Sequence, residues 1–361
     1  MSPIGGLESS THSYFYQFDP TKDPRWRVFV GRHPNASVFH TVGWLKALQL
    51  TYGYEPVAFT TSPPTGELEN GIVFCRVQSW LTGRRLVSLP FSDHCEPLCD
   101  SIEDLNFLIR NLRTTSEPRN WKYLEVRPVN GRFQQIGDAN GFLPAAKYLT
   151  HVLDLRPDLM EVFRKLDKDS VQRRIRRAEH AGLIERCGRS IDLLEDFYGL
   201  FVMTRGRHRL PPIPFVWFQN LVQCLGNALE IRLAYKDKIP VSAILTLRFR
   251  HVVYYKYGCS DARFKHFGAT PWLLWKAISG AKSNGAQEFD MGRTEELNAG
   301  LIAFKDHWVR QSEQLVYWKF PETSSLDSIN GWKLKVVKGM FSCMPDRLRI
   351  IAGKLIYPHI G

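Results

Sequence analysis

The chain has 361 residues, 44% of them apolar and 23% charged, which suits packed globular domains and excludes an intrinsically disordered polymer. Its formal charge of +12 and pI of about 9.4 speak of partners: nucleic acid, an anionic membrane face or a phosphorylated substrate each fit, and so does a basic surface serving only solubility. Seven scattered cysteines form no disulfide framework, and no run approaches the roughly 18 apolar residues that a spanning helix needs.

The first twenty residues, MSPIGGLESSTHSYFYQFDP, lack a basic start followed by an apolar run, so no signal peptide is expected. A helix over VGWLKALQLTYG leads to the strand EPVAFTT, then a turn at SPPTGELENG, then the strands IVFCRVQSW and RRLVSLPF. Cys95 and Cys99, with His94 beside them, invite a metal, but no second Cys/His pair follows at zinc spacing and none is expected. The helix SIEDLNFLIRNLRTT, the strand WKYLEVRPV and a strand over 151–155, HVLDL, follow. Next comes the helix DSVQRRIRRAEHAG, with Asp169 or Ser170 as its cap, a buried stripe of Val171, Ile175 and Ala178, and a stop at Gly182.

The strand LIERCG, two helices (SIDLLEDFYGLFVMTRGRHR and PFVWFQNLVQCLG) and a meander come next. The meander strands LEIRLAYK, IPVSAILTLRFR and HVVYYKYGCS turn at Asp237-Lys238 and Arg250-His251. The helix TPWLLWKAISGAKSNG has Thr270 as its expected N-cap, Pro271 in its first turn and Asn284-Gly285 at its end. Then come the strand EFDMG, a short helix and the strand EQLVYWKF. The order describes an α+β fold on a mixed sheet, with the first half echoing the second. Two related domains in tandem are expected, at 1–160 and 161–322, with the boundary near Pro157 to Asp169. A basic amphipathic tail at 323–361 carries Lys333, Lys335, Lys338, Arg347, Arg349 and Lys354, and Pro345 limits it to at most two short helices. Such a tail lies on an anionic surface or, more commonly, packs on its own domain.

The short helix puts Leu297, Leu301, Phe304 and Trp308 at helical spacing, and Lys305 points along that stripe. An ammonium group there faces a cavity or an anion, or else its stem packs while its head reaches water. Asp290 and Arg293 end the preceding strand, where side chains commonly line a crevice. Asp290 either orients an amine or takes its proton, or else it is structural, bonded to Arg293 or to the backbone. Asn298 binds substrate or, more simply, caps the helix. Tyr255 and Tyr257, two apart on one strand, are expected on the same side of the sheet, as ligand contacts or as core. The arginines at 173, 174, 176 and 177, with Arg205, Arg207, His208 and Arg209 in TRGRHR, are more than solubility requires. Of these, Arg174, Arg177 and Arg205 are the expected contacts to a phosphate backbone or diphosphate.

RRIRRAEHAG, YYKYGCS, GATPWLLWKAISGAKSNGAQEFDMGR and LNAGLIAFKDHW, in this order, resemble the FemAB/FemX-like branch, including BioF2-like proteins, of the GNAT acyltransferase superfamily. The resemblance covers roughly residues 40–320 and is strongest from 168 to 321. It implies tandem GNAT-like domains, each a mixed, mostly antiparallel sheet flanked by helices. It also implies acyl or aminoacyl transfer to an amine on a cell-envelope precursor of peptidoglycan or exopolysaccharide type, without a metal or a tightly bound cofactor. Phe304 and Lys305 correspond to a pair beside the donor and acceptor. The donor is an aminoacyl-tRNA or an acyl-CoA. Ordinary GNAT enzymes hold the coenzyme pyrophosphate on an Arg/Gln-x-x-Gly-x-Gly/Ala loop, which Lys265, Gly268 and Thr270 match in part, with Pro271 removing one N–H donor. The acceptor implied is a phosphorylated or lipid-linked saccharide. The expected location is cytoplasmic, with peripheral contact at an anionic inner membrane face. Two alternatives stand beside this: an acyl-CoA-dependent N-acetyltransferase acting on another amine, and a non-catalytic protein that binds nucleic acid or a membrane surface.

Overall fold

The computed structural model describes residues 14–114, 121–129, 131–321 and 345–360. In the first half, β1 (Tyr16–Phe18), β2 (Glu55–Thr60), β3 (Ile72–Ser79), β4 (Gly83–Val87) and β5 (Tyr123–Val126) alternate with helices. These are α1 (Pro24–Arg32), α2 (Val42–Tyr52), α3 (Ile102–Thr114) and α4 (Arg132–Ala139); β6 (Leu143–Asp154) follows. The second half opens with α5 (Leu159–Lys165), α6 (Arg173–His180), β7 (Ile184–Gly188), α7 (Ile191–Arg207) and α8 (Phe215–Leu225). The meander β8 (Leu229–Lys236), β9 (Ile239–Phe249) and β10 (Val252–Ser260) leads to α9 (Ala269–Ser283), β11 (Glu288–Glu295), α10 (Ala299–Asp306) and β12 (Glu313–Phe320). A tail helix, α11 (Asp346–Ile360), comes last.

All twelve strands join one sheet in the order β1-β2-β3-β4-β5-β12-β6-β11-β10-β9-β8-β7. Each half carries one parallel pair, β4 with β5 and β10 with β11, among otherwise antiparallel neighbours. At the centre the halves exchange strands. β6, early in the chain, pairs with β11 of the second half, and β12, late in the chain, pairs with β5 of the first. One core lies between the halves, where α1, α2, α7 and α8 bury Trp26, Trp44, Phe197 and Trp217 against both sets of strands. The opposite face carries a core under α6 and α9 and another under α3 and α4, the latter taking Trp318 from β12. The Asp237-Lys238 turn has both residues at positive φ (49° and 67°), as a two-residue hairpin of matching twist requires.

Several local expectations are corrected. The helix cap before α6 is Asp167, whose carboxylate accepts from the N–H groups of Asp169 and Ser170, so neither of those residues is the cap. Gly268, at φ +75°, caps α9 in place of Thr270, whose hydroxyl is 2.8 Å from that of Ser242. Leu297 leaves the apolar stripe and is almost fully exposed, because α10 starts two residues later. The tail forms one 15-residue helix in its described part; Lys333, Lys335 and Lys338 lie outside the described residues. α11 packs on its own protein: a Cβ on Gly353 would come within 2.1 Å of the Pro212 carbonyl oxygen, and Tyr357 is buried beneath the helix. No helix among the described residues is long and apolar enough to cross a membrane.

Candidate active site

β10 and β11 run parallel only from Val252–Tyr254 against Glu288–Asp290, and then part. Each strand is irregular where they separate. β10 carries an extra residue, Lys256, between Tyr255 and Tyr257, while β11 shifts register between Asp290 and Arg293 with Gly292 at φ +72°. A bulge of this kind re-aims side chains. Tyr255 therefore pairs with Thr246 and packs toward α9, whereas Tyr257 pairs with the adjacent Leu245 and packs against Phe201 and Phe218 on the other face. The expectation of two tyrosines on one side fails for this reason. Gly258 is required here, since the Tyr255 hydroxyl occupies the place of its Cβ.

Buried charges fill the opening. Lys256 Nζ is 2.8 Å from Oδ1 of Asp93, and its ammonium lies over the rings of Phe39 and Trp44. Asp93 and His94 come from the loop after β4, which holds Leu89 and Phe91 at positive φ. Burial raises the Asp93 carboxyl, but the Lys256 ammonium and the Arg293 guanidinium outweigh it and hold it below the usual carboxylate range. Burial likewise lowers the Lys256 ammonium, against the pull of Asp93. Asp290 is buried, accepts the Gly292 N–H at 2.7 Å, and faces His94 Nε2 at 3.7 Å. Arg293 donates to the Tyr317 hydroxyl at 2.6 Å and lies over the Tyr148 ring. Tyr317 in turn donates to the Asp93 carbonyl oxygen. Asp290 and Arg293 thus face different partners and do not pair with each other.

Lys305 is 2% exposed, and its Nζ donates to the carbonyls of Gly292 (2.5 Å) and Arg293 (3.2 Å). The head therefore holds the β11 bulge from behind rather than reaching water. Burial pushes its pKa down to about 8, opposed by Asp93 and Asp290 and aided by Lys256 and Arg293. Asn298 caps α10, accepting from the Leu301 N–H at 3.2 Å, which answers the substrate-binding expectation with a structural role.

The residue before Lys305 on α10, Phe304, lines a cavity of about 360 Å³ together with Arg174, Arg207, Lys265, Gly268 and Thr270. The first turn of α9 opens into it, so the Ala269 and Thr270 N–H groups have no intrahelical acceptor. Gly268 is dictated by packing as well as by φ, because a Cβ there would sit 2.4 Å from the Arg174 carbonyl oxygen. Two of the expected arginines are placed elsewhere. Arg177 donates to the His266 carbonyl outside the cavity, and Arg205 is committed to the Pro211 carbonyl and the Tyr357 hydroxyl under α11. Cys95 sits beside His40 in one core and Cys99 in another. Asp93, His94, Lys256, Tyr148 and Tyr317 are absent from the sequence-based site. Lys256 carries the same signal as Lys305, a cation inside an apolar pattern, whereas Asp93 and His94 sit in a loop whose local pattern points to no partner across the chain.

Residues 166–306 match the acetyltransferase (GNAT) domain family. No curated protein matches the chain. Among solved structures, FemX superposes with a TM-score of 0.69 at 15% identity, covering 90% of this chain and 100% of FemX. A tandem GNAT protein from the clavulanic acid biosynthesis pathway gives 0.54 at 10% identity, with 85% and 97% covered. L-PGS from Bacillus licheniformis gives 0.51 at 13%, with 76% and 87% covered. The fold is that of tandem GNAT proteins. Residues 166–306 carry a GNAT acetyltransferase domain, which marks the chain as an N-acyltransferase, and the fold around it is one shared with FemX.

Proposed function

We propose that this N-acyltransferase moves an acyl or aminoacyl group from a phosphate-bearing donor, an aminoacyl-tRNA or an acyl-CoA, to an amine on a cell-envelope precursor. The acceptor is a phosphorylated or lipid-linked saccharide. The cavity carries this reading: Arg174, Arg207 and Lys265 gather around the α9 N-terminus, where a phosphate meets both fixed cations and free N–H groups, and Phe304 adds an apolar wall. The envelope acceptor rests on the motif resemblance, and the charge of +12 suits anionic partners on both sides of the reaction.

In this reading the acceptor nitrogen attacks the donor carbonyl carbon, a C–N bond forms, and negative charge moves to the carbonyl oxygen. Collapse expels the ribose hydroxyl or the thiol as leaving group. The proton lost by nitrogen passes to the Asp290 carboxylate, which accepts from the Gly292 N–H and faces His94, and from there to the departing ribose oxygen or sulfur. Lys305 supplies fixed positive charge behind the bulge and keeps Gly292 in its unusual conformation. Thermal melts with acetyl-CoA and with a charged tRNA test the donor: one of them raises the midpoint, and Arg174→Ala abolishes that rise. A shift with the coenzyme alone rejects the tRNA, and no shift with either refutes the cavity as a donor site.

A further inference from the structure

The tail helix is apolar on two opposite sides. One side docks through Gly353 and Tyr357. The other presents Leu348, Ile351 and Leu355, which are 51%, 53% and 66% exposed and spaced so that they stack along one line. His359 continues that line one turn on. There the β3–β4 hairpin meets the helix: His359 Nδ1 is 2.9 Å from the Ser79 hydroxyl, and the His359 carbonyl accepts from Thr82 Oγ1 and Arg85 Nη2. The Trp80 ring lies edge-on to His359 at 5.5 Å. Trp80 is 86% exposed and Leu81 59%, both at the hairpin tip. Single exposed apolar side chains are ordinary, but five brought together on one side mark a contact surface.

The charges around this patch identify the partner. Arg84 and Lys122 are exposed beside the hairpin tip, where the Lys122 N–H donates to the Arg84 carbonyl, and Arg347 and Lys354 flank the helical stripe. Residues 79–85 contain no acid, and the single carboxylate of α11, Asp346, is paired with Arg349. A tryptophan-tipped hairpin beside a cation-flanked apolar stripe matches a lipid interface, where aromatic and aliphatic groups enter the acyl boundary and cations meet headgroups. We propose that the Trp80-Leu81 tip and the outer side of α11 form a docking surface for an anionic lipid bilayer. The surface shares no residue with the donor cavity, and its test needs no turnover, so it stands or falls independently of the acyl-transfer reading.

The test is co-sedimentation of the full chain with vesicles of phosphatidylcholine alone or mixed with phosphatidylglycerol. The chain sediments with the mixed vesicles and not with pure phosphatidylcholine. Trp80→Ser/Leu81→Ser, and separately Leu348→Ser/Leu355→Ser, lower the partition coefficient by at least about tenfold. The circular dichroism spectrum and thermal midpoint stay unchanged, because these side chains are exposed in the free protein. Absence of vesicle binding, equal binding to both vesicle types, or full binding by both variants overturns the proposal. So does a concentration-dependent dimer that the Trp80 variant abolishes without any vesicle binding, since a second copy is then the occupant.

Discussion

Replacing Lys305 by Met tests whether a buried charge holds the β11 bulge. The folded protein releases the Lys305 proton near pH 8, whereas the unfolded chain keeps it to the ordinary value of 10.5. Stability therefore rises with pH between those two values, because the unfolded chain binds more protons there. Fully expressed, the difference is about 3 kcal/mol of unfavourable charging, present below about pH 8 and relieved above 10.5. Met removes that penalty but leaves the Gly292 and Arg293 carbonyls without their donor, at about 1–3 kcal/mol each. Near neutral pH the two effects nearly cancel, so variant and wild type should unfold at similar denaturant concentrations. From about pH 7.5 to about pH 9.5 the wild type should gain about 2 kcal/mol over the variant, read from urea titrations at each pH. Turnover should fall by about 100-fold below pH 8, where the ammonium is charged, and the gap to wild type should narrow as pH rises through that value. A stability difference that stays flat across this range, or that closes as pH rises, refutes the assignment of a strained buried ammonium.

Asp290→Asn keeps an acceptor for the Gly292 N–H but cannot take a proton, so kcat should drop by about 100-fold or more with little change in thermal midpoint. Gly268→Ala places a Cβ against the Arg174 carbonyl in a left-handed conformation, which should cost about 2–3 kcal/mol in chemical denaturation and weaken donor binding. Arg205→Ala removes the Tyr357 contact, so proteolysis should release α11 more readily while the donor dissociation constant stays unchanged. Loss of donor affinity in that variant would return Arg205 to the binding surface. Arg174→Ala should raise the donor dissociation constant by about tenfold, with a shallower dependence on salt.

Periodicity made most of the elements legible. The meander, its two turns, the end of α9 and the strand EQLVYWKF all follow from local pattern, since each is governed by near neighbours. That Arg174, Lys265, Gly268, Thr270 and Phe304 line one cavity is a tertiary fact, but each belongs to a motif with recognisable local chemistry. What local pattern cannot carry is an irregularity whose cause lies elsewhere in the chain. A period of two placed Tyr255 and Tyr257 together, and one inserted residue, Lys256, separated them, its ammonium drawn to Asp93 some 163 positions away in sequence. Asp93 and His94 sat in an unremarkable loop until the first half folded against the second. Arg205 was misread for the converse reason: a surface-looking cluster in sequence lies beneath a helix that arrives about 150 residues later.

The exchange of β6 and β12 between the halves bears on how the protein can be divided. A break near residue 157, in the connection between β6 and α5, leaves each fragment without a strand that the other half's sheet requires at its middle. Neither fragment can close its hydrogen-bonded ladder alone, so the halves are obliged to melt together and to reassemble together.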